Sequence, residues 1–209
     1  MIEKYKNKTI VFFGDSITDT CKRDNPNYKY GAGYVNMVKT ELDVCYPDLN
    51  ITIYNEGINA DETGHLLERF NESIVNKNPD LVFMLIGIND VWHPFENKND
   101  YCNADIISRI DLLVKKIKNL GSEVVLITPY LFPREPFLDF FTELYPHFES
   151  FYNEYKIYIE AKKLDYIDIH KILKPYADIS NNRVTKDSVH PDVIGHGIIA
   201  QAIIDYLTK

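Results

Sequence analysis

A serine hydroxyl becomes a useful nucleophile only when a base takes its proton, and that base is commonly a histidine oriented by a carboxylate. Ser16 stands in Gly14-Asp15-Ser16-Ile17-Thr18-Asp19, and one of the six histidines, His190, stands in Asp187-Ser188-Val189-His190-Pro191. Asp187 precedes His190 by three residues, in a loop whose end is set by Pro191 and the helix behind it. Its carboxylate can therefore reach the imidazole from within the same loop. The same residues have a plainer reading, in which Asp15, Asp187 or Ser188 turns the chain or caps a helix. Asn89, in Gly87-Ile88-Asn89-Asp90, offers a side-chain amide that can donate to an oxyanion beside backbone N–H groups. Equally, a turn of that composition can simply end a strand.

Elements with the right geometry must bring these residues together. Thr9-Ile10-Val11-Phe12-Phe13 is a β-branched and aromatic run that stops at Gly14 and predicts a buried strand. Ile51–Asn55, Leu81–Ile86, Val124–Thr128 and Tyr166–Ile169 predict four more strands, and the unbroken apolar run of the Leu81 strand suits burial on both faces. Apolar residues at helical spacing predict helices over Tyr34–Leu42, Leu66–Val75, Asp105–Leu120, the later half of Phe137–Leu164, and Ile194–Leu207. Strands alternating with helices imply a parallel sheet covered on both faces, a three-layer α/β/α sandwich. In such a sheet Gly14-Asp15-Ser16, the turn from Asn55 to Asp61, and Gly87-Ile88-Asn89-Asp90 all reach the carboxyl edge, where ligands bind.

Composition narrows the partners. The 209 residues carry 45% hydrophobic and 26% charged side chains, with no linker or repeat, which suits one domain over residues 1–209. A formal charge of −8 argues against nucleic acid and anionic membrane, both of which call for basic patches. No apolar stretch approaches a membrane span, and the charged segment before Thr9 has no leader pattern, so a cytoplasmic location is expected. Cys21, Cys45 and Cys102 are scattered and odd in number, fitting reduced thiols. No metal-ligand spacing is found, and no cofactor is expected. His196 reads as a packed or exposed residue of the last helix, and His65 as a helix start. The stretch from Tyr130 to Phe141, dense in aromatics and prolines, suits a pocket wall, core packing or a contact with another subunit.

Taken in order, the Ser16, Asn55–Asp61, Asn89 and Asp187–His190 blocks resemble the SGNH (GDSL-type) hydrolase family over nearly the whole chain. Gly33-Tyr34-Val35, Tyr46-Pro47, Asn89-Asp90-Val91-Trp92 and Gly195-His196 make the sequence similar to the intracellular acetylxylan esterase branch, which removes acetyl groups from xylo-oligosaccharides. The resemblance implies a flavodoxin-like sheet, Ser16 as nucleophile, His190 as base and Asp187 as its orienting acid. It implies an oxyanion hole made of the Ser16 N–H, the N–H at residue 60 and the Asn89 side chain. Relatives carry glycine at that second position, where this chain has Ala60; the donor survives the methyl group provided φ there is negative. Asp15 and Trp92 are the expected substrate contacts, with the indole near the pocket mouth, placed to stack on a sugar or to cover the sheet edge. The implied substrate is a small ester, an acetylated sugar above all, and the implied assembly is a homo-oligomer. Alternatives are a lysophospholipase or thioesterase taking longer acyl chains, and a carbohydrate-binding relative that has lost activity.

Overall fold

The computed structural model describes residues 2–22, 27–179 and 184–209. Five strands, β1 (Thr9–Gly14), β2 (Thr52–Gly57), β3 (Leu81–Leu85), β4 (Glu123–Ile127) and β5 (Tyr166–Ile167), form one parallel sheet in the order β2-β1-β3-β4-β5. The two central strands are sealed on both faces: Ile10 to Phe13 and Leu81 to Leu85 are all fully buried. Their register sets Phe12 opposite Phe83, and the two rings stack with centroids 5.3 Å apart. An aromatic pair of this kind adds about 0.5–1.5 kcal/mol beyond the burial of its area.

Among the described residues the helices are α1 (Ser16–Asp19), α2 (Tyr34–Cys45), α3 (Thr63–Glu68), α4 (Phe70–Ser73), α5 (Ile88–Glu96), α6 (Asn103–Asn119), α7 (Leu138–Lys162), α8 (Ile169–Ile179) and α9 (Val193–Thr208). The longer ones make two groups, α2 and α8 against α9, and α3, α5 and α7 linked through α6 and one another. The result is the expected three-layer α/β/α sandwich. The chain leaves β1 toward β2 on one side and returns to β3 on the other. The sheet's switch point is thus the gap between the carboxyl ends of β1 and β3, the place where open α/β sheets bind ligands.

The structure revises several expected elements. The helix expected over Leu66–Val75 begins earlier, at Thr63, and breaks at Arg69, whose φ of −92° and ψ of 12° end α3 and start α4. The turn at Asn89-Asp90 is the first turn of α5, because Gly87 at φ 120° swings the chain straight from strand into helix. Helix α7 occupies most of the stretch expected to be helical only in its later half, with Pro146 inside it. β5 is only two residues long, and α8 follows it where no helix was expected. No helix among the described residues is long and apolar enough to cross a membrane.

Candidate active site

Ser16 opens α1, one residue beyond the end of β1 plus the cap. Asp15 is the N-cap: its Oδ1 accepts the Ile17 N–H at 2.9 Å. This leaves the Ser16 N–H at the first helical position, where no intrahelical acceptor exists. The Thr18 hydroxyl pairs with the Tyr34 hydroxyl at 2.9 Å. Asn55 then ties the turn to β2, its amide donating to the carbonyls of Thr18 at 2.7 Å and Tyr30 at 2.9 Å. Gly57 lies so close behind α1 that a Cβ there would sit 2.2 Å from the Asp19 nitrogen, so no side chain fits.

The C-terminal loop delivers His190 to this point. Its Nε2 lies 2.9 Å from Ser16 Oγ, and its Nδ1 lies 2.8 Å from Asp187 Oδ2. The hydrogen-bond network assigns the Nδ1 proton to the Asp187 contact, leaving Nε2 to accept from the serine. Asp187 Oδ1 accepts the N–H groups of His190 at 2.8 Å and Val189 at 3.2 Å, which freezes the carboxylate. An antiparallel bridge of Thr185 with Pro191 closes the loop, and Asp192 caps α9 by accepting from Gly195. Ser188, at φ 83°, is secured by accepting the Arg134 N–H on its hydroxyl, while its carbonyl accepts the Phe132 N–H.

Electrostatics follow the geometry. Burial works against the charged imidazole of His190, but its hydrogen bond and attraction to Asp187 outweigh this and hold its pKa above the ordinary value. Burial pushes the other way on Asp187, where the His190 contact wins and keeps the carboxyl below its usual range. Asp15 is different: wholly buried, with Oδ2 lacking a protein partner, it is pushed up to about 7 by desolvation.

The remaining expected site residues are placed as follows. Asn89, in the first turn of α5, is buried and donates one amide hydrogen to the Asp61 carbonyl at 2.9 Å. The neighbouring Asp90 carboxylate accepts the Thr63 N–H and hydroxyl and an Arg109 guanidinium N–H. These bonds pin the turn after β2 to the end of β3. Ala60, in that turn, is exposed, and its N–H has no protein acceptor among the described residues. Its φ is +64°, so the condition of a negative φ is not met, and the N–H serves as a donor only where the turn holds alanine in this glycine-like region. An alanine held there costs about 1–2 kcal/mol against the ordinary regions. Gly57 offers no substitute, since its N–H is already donated to Asn55 Oδ1 at 2.9 Å.

One expectation about substrate contacts changes, and another is placed more narrowly. Asp15, expected to touch substrate, is sealed behind α1 and engaged as a cap. Trp92 packs edge-on against Phe141, at 5.1 Å between centroids, and does not line the cleft at Ser16. That cleft, about 630 Å³, is bordered by Ser16, Asn59, Lys186, His190, Val193 and His196 among others. Trp92 instead lines a second hollow of about 330 Å³ with Glu96, Phe137, Phe140 and Phe141, which shares Asp187 with the first. His196 is buried, and its Nδ1 accepts the Tyr34 N–H at 3.3 Å. Lys186 and Arg69 were not singled out from the sequence, and Asn55 entered only as the first residue of its turn. Lys186 carried a signal, being next to Asp187; Arg69 carried none that is local.

A serine, an imidazole and a carboxylate in one hydrogen-bonded line at a switch point can pass a proton away from the serine as it attacks a carbonyl. The chain belongs to the GDSL-like lipase/acylhydrolase family, whose model matches residues 12–198. Its curated relatives include an acetylxylan esterase of Geobacillus stearothermophilus, 30% identical over 210 residues covering 93% of this chain and 91% of that one. An arylesterase of Vibrio mimicus is 24% identical over 186 residues, 85% of this chain and 84% of its own. Among solved structures, a putative GDSL-like lipase from Parabacteroides merdae ATCC 43184 superposes with a TM-score of 0.87 at 26% identity, covering 97% of this chain and 96% of that one. The Geobacillus esterase superposes with a TM-score of 0.78 at 25% identity, covering 98% and 95%. Three further structures of that esterase are catalytic mutants, with a serine, an aspartate or a histidine replaced by alanine. The replaced aspartate and histidine are three positions apart.

Proposed function

We propose that this chain is a serine esterase that removes short acyl groups, acetyl above all, from carbohydrate such as xylo-oligosaccharides. The observation that carries this reading is the unbroken line Ser16 Oγ, His190 Nε2 and Nδ1, Asp187 Oδ2 at the β1/β3 switch point. The relative's aspartate and histidine share the three-residue spacing of Asp187 and His190, which supports the same roles here.

In the first step Ser16 Oγ attacks the ester carbonyl while its proton passes to His190 Nε2, and Asp187 steadies the imidazolium. The carbonyl oxygen becomes an oxyanion, received by the N–H groups of Ser16 and Ala60 and the second amide hydrogen of Asn89. His190 then gives its proton to the departing sugar hydroxyl, leaving Ser16 acylated. Water repeats the sequence with His190 again as base and releases the carboxylic acid. The hollow beside Trp92 lies against Asp187 and is lined by rings, which suits contact with a sugar on the leaving-group side. Three exposed thiols suit a reducing compartment, and we place the protein in the cytoplasm as a single domain, acting without a cofactor. Recovery from the culture medium rather than the cell lysate would overturn that location. Phe137 and Leu138 are exposed and fit anchors of a homo-oligomer; sedimentation at the 24.3 kDa of one chain across micromolar concentrations would exclude it.

The test is an acyl-length series on nitrophenyl esters, followed by acetylated xylo-oligosaccharide. Acetyl esters are expected to turn over faster than butyryl and much faster than octanoyl esters. Ser16→Ala is expected to lose on the order of 10⁶ in turnover while the fold survives. A preference for octanoyl esters moves the assignment to lipid or thioester substrates, and retained activity in Ser16→Ala removes the serine mechanism altogether.

A further inference from the structure

Ala60 occupies the left-handed region, where a residue other than glycine persists only if its surroundings over-determine it. Its flanks are held by contacts from distant parts of the chain. The Asp61 carbonyl takes the Asn89 amide, and the Asp61 carboxylate takes Arg69 Nε at 2.7 Å. Upstream, the Ile58 N–H donates to the Gly14 carbonyl at 3.1 Å.

Arg69 is the residue at which the helix after this turn breaks, in the sparsely populated bridge region between α3 and α4. The break lets one guanidinium serve three elements. Nε binds Asp61 in the Ala60 turn, Nη1 binds Ser73 Oγ at 2.8 Å in α4, and Nη2 binds the Gly14 carbonyl at 3.0 Å at the end of β1. The guanidinium carbon also lies 4.6 Å from the centre of the Phe13 ring. Side-chain exposure is only 12% for Arg69 and 10% for Asp61, so water screens this pair little. The Gly14 carbonyl, two residues before Ser16, thus receives both the first amide of the Ala60 turn and Arg69.

We propose that Arg69 is a positioning residue: its fork onto Asp61 and the Gly14 carbonyl holds Ala60 at positive φ and keeps the Ala60 N–H in register with Ser16. This rests on the serine-esterase reading above. Arg69 touches neither substrate nor the reacting atoms. Its role follows from the alanine, because glycine would populate the same backbone region unaided. Lysine cannot replace the fork, since one ammonium does not bind two acceptors in fixed planar geometry.

The experiment measures kcat and KM for a soluble acetate ester in the parent, Arg69→Lys, Ala60→Gly and the double variant, each shown to be folded by circular dichroism and melting. One oxyanion donor is worth about 10²–10³ in rate, so a misaligned one is expected to lower kcat about 10–100-fold in Arg69→Lys with KM within about twofold. In the Ala60→Gly background the same Arg69→Lys change is expected to cost at least about tenfold less. Should Arg69→Lys not fold, Asp61→Asn, which keeps the size of the partner and removes its charge, replaces it in the same cycle with the same expectation. A parent-like kcat, a loss confined to KM, or an equal loss in both backgrounds overturns the proposal. Labelling by a fluorophosphonate, lost in Ser16→Ala, checks the underlying reading separately. An unlabelled parent overturns both, whereas a labelled parent with no kinetic coupling overturns the clamp alone.

Discussion

The two turns that follow β1 and β2 end side by side at the edge of the sheet, and they are built on opposite principles. After β1, Asp15 caps and Ser16 begins the helix through bonds made within the turn itself, and left-handed residues, Thr20 at φ 42° and Cys21 at φ 62°, come only past its last helical position. After β2, Ala60 sits at a φ of +64°, in a region its type disfavours. Its geometry is supplied by Asn89 from α5, Asp90 from the same turn of that helix, and Arg69 from the break between α3 and α4. One turn is specified locally, the other by its neighbours. Damage to the first should act on chemistry directly, and damage to the second through loss of register.

After the loss expected of Ser16→Ala, the next largest effect that separates them is at the base on the Ser16 side. Asp187→Asn keeps the size of the side chain but removes the charge that raises His190 and the acceptor that sets its tautomer. Turnover is expected to fall on the order of 10⁴. The acid limb of the kcat/KM profile is expected to move to lower pH, since His190 must be neutral to act and its pKa falls without Asp187. An unchanged limb would mean that another group serves as base.

Asn89→Ala comes next and probes the neighbour-built turn. It removes a donor and also the bond to the Asp61 carbonyl. A loss of about 10²–10³ in kcat with little change in KM is expected. If KM alone changes, Asn89 is a binding residue and the two turns do not share an oxyanion.

The smallest effect on turnover belongs to Asp15→Asn, which leaves an oxygen to cap the Ile17 N–H. Here stability is the readout. The folded-state pKa of Asp15 is raised to about 7 by burial, so between pH ~4 and ~7 the folded chain binds more protons than the unfolded one. Stability therefore falls as pH rises through that window, and the asparagine escapes the loss. Asp15→Asn is expected to exceed the parent in unfolding free energy at pH 8 by on the order of a few kcal/mol, and to be level with it near pH 4. An equal offset at both pH values would show that Asp15 ionises as freely as an exposed carboxyl.

Short-range features of the sequence were enough to read the sheet, while the reacting line was legible only from the four blocks taken in order and the family resemblance they carry. The runs ending at Gly14 and after Leu85 are apolar over lengths that only a strand sealed on both faces requires. Asp187 and His190 are three residues apart in one loop, so their contact needs little beyond that loop's own bonds. The sequence also marked residue 60 as a departure, but not its φ, because backbone conformation in a turn answers to what packs around it. Helix α5 was hidden because Gly87, Asn89 and Asp90 read as a turn that ends a strand, and it is the positive φ at Gly87 and packing against α7 that make a helix begin there. Asp15 was expected to touch substrate, and only the folded structure shows it fully buried with its Oδ1 taken by the Ile17 N–H. Arg69 lies 53 residues along from Ser16 and carries no local motif. Its bonds to Asp61 and Ser73 lie within eight residues, but the one to the Gly14 carbonyl exists only because the sheet order β2-β1-β3 sets the end of β1 beside the turn after β2, and no periodicity in the sequence records that.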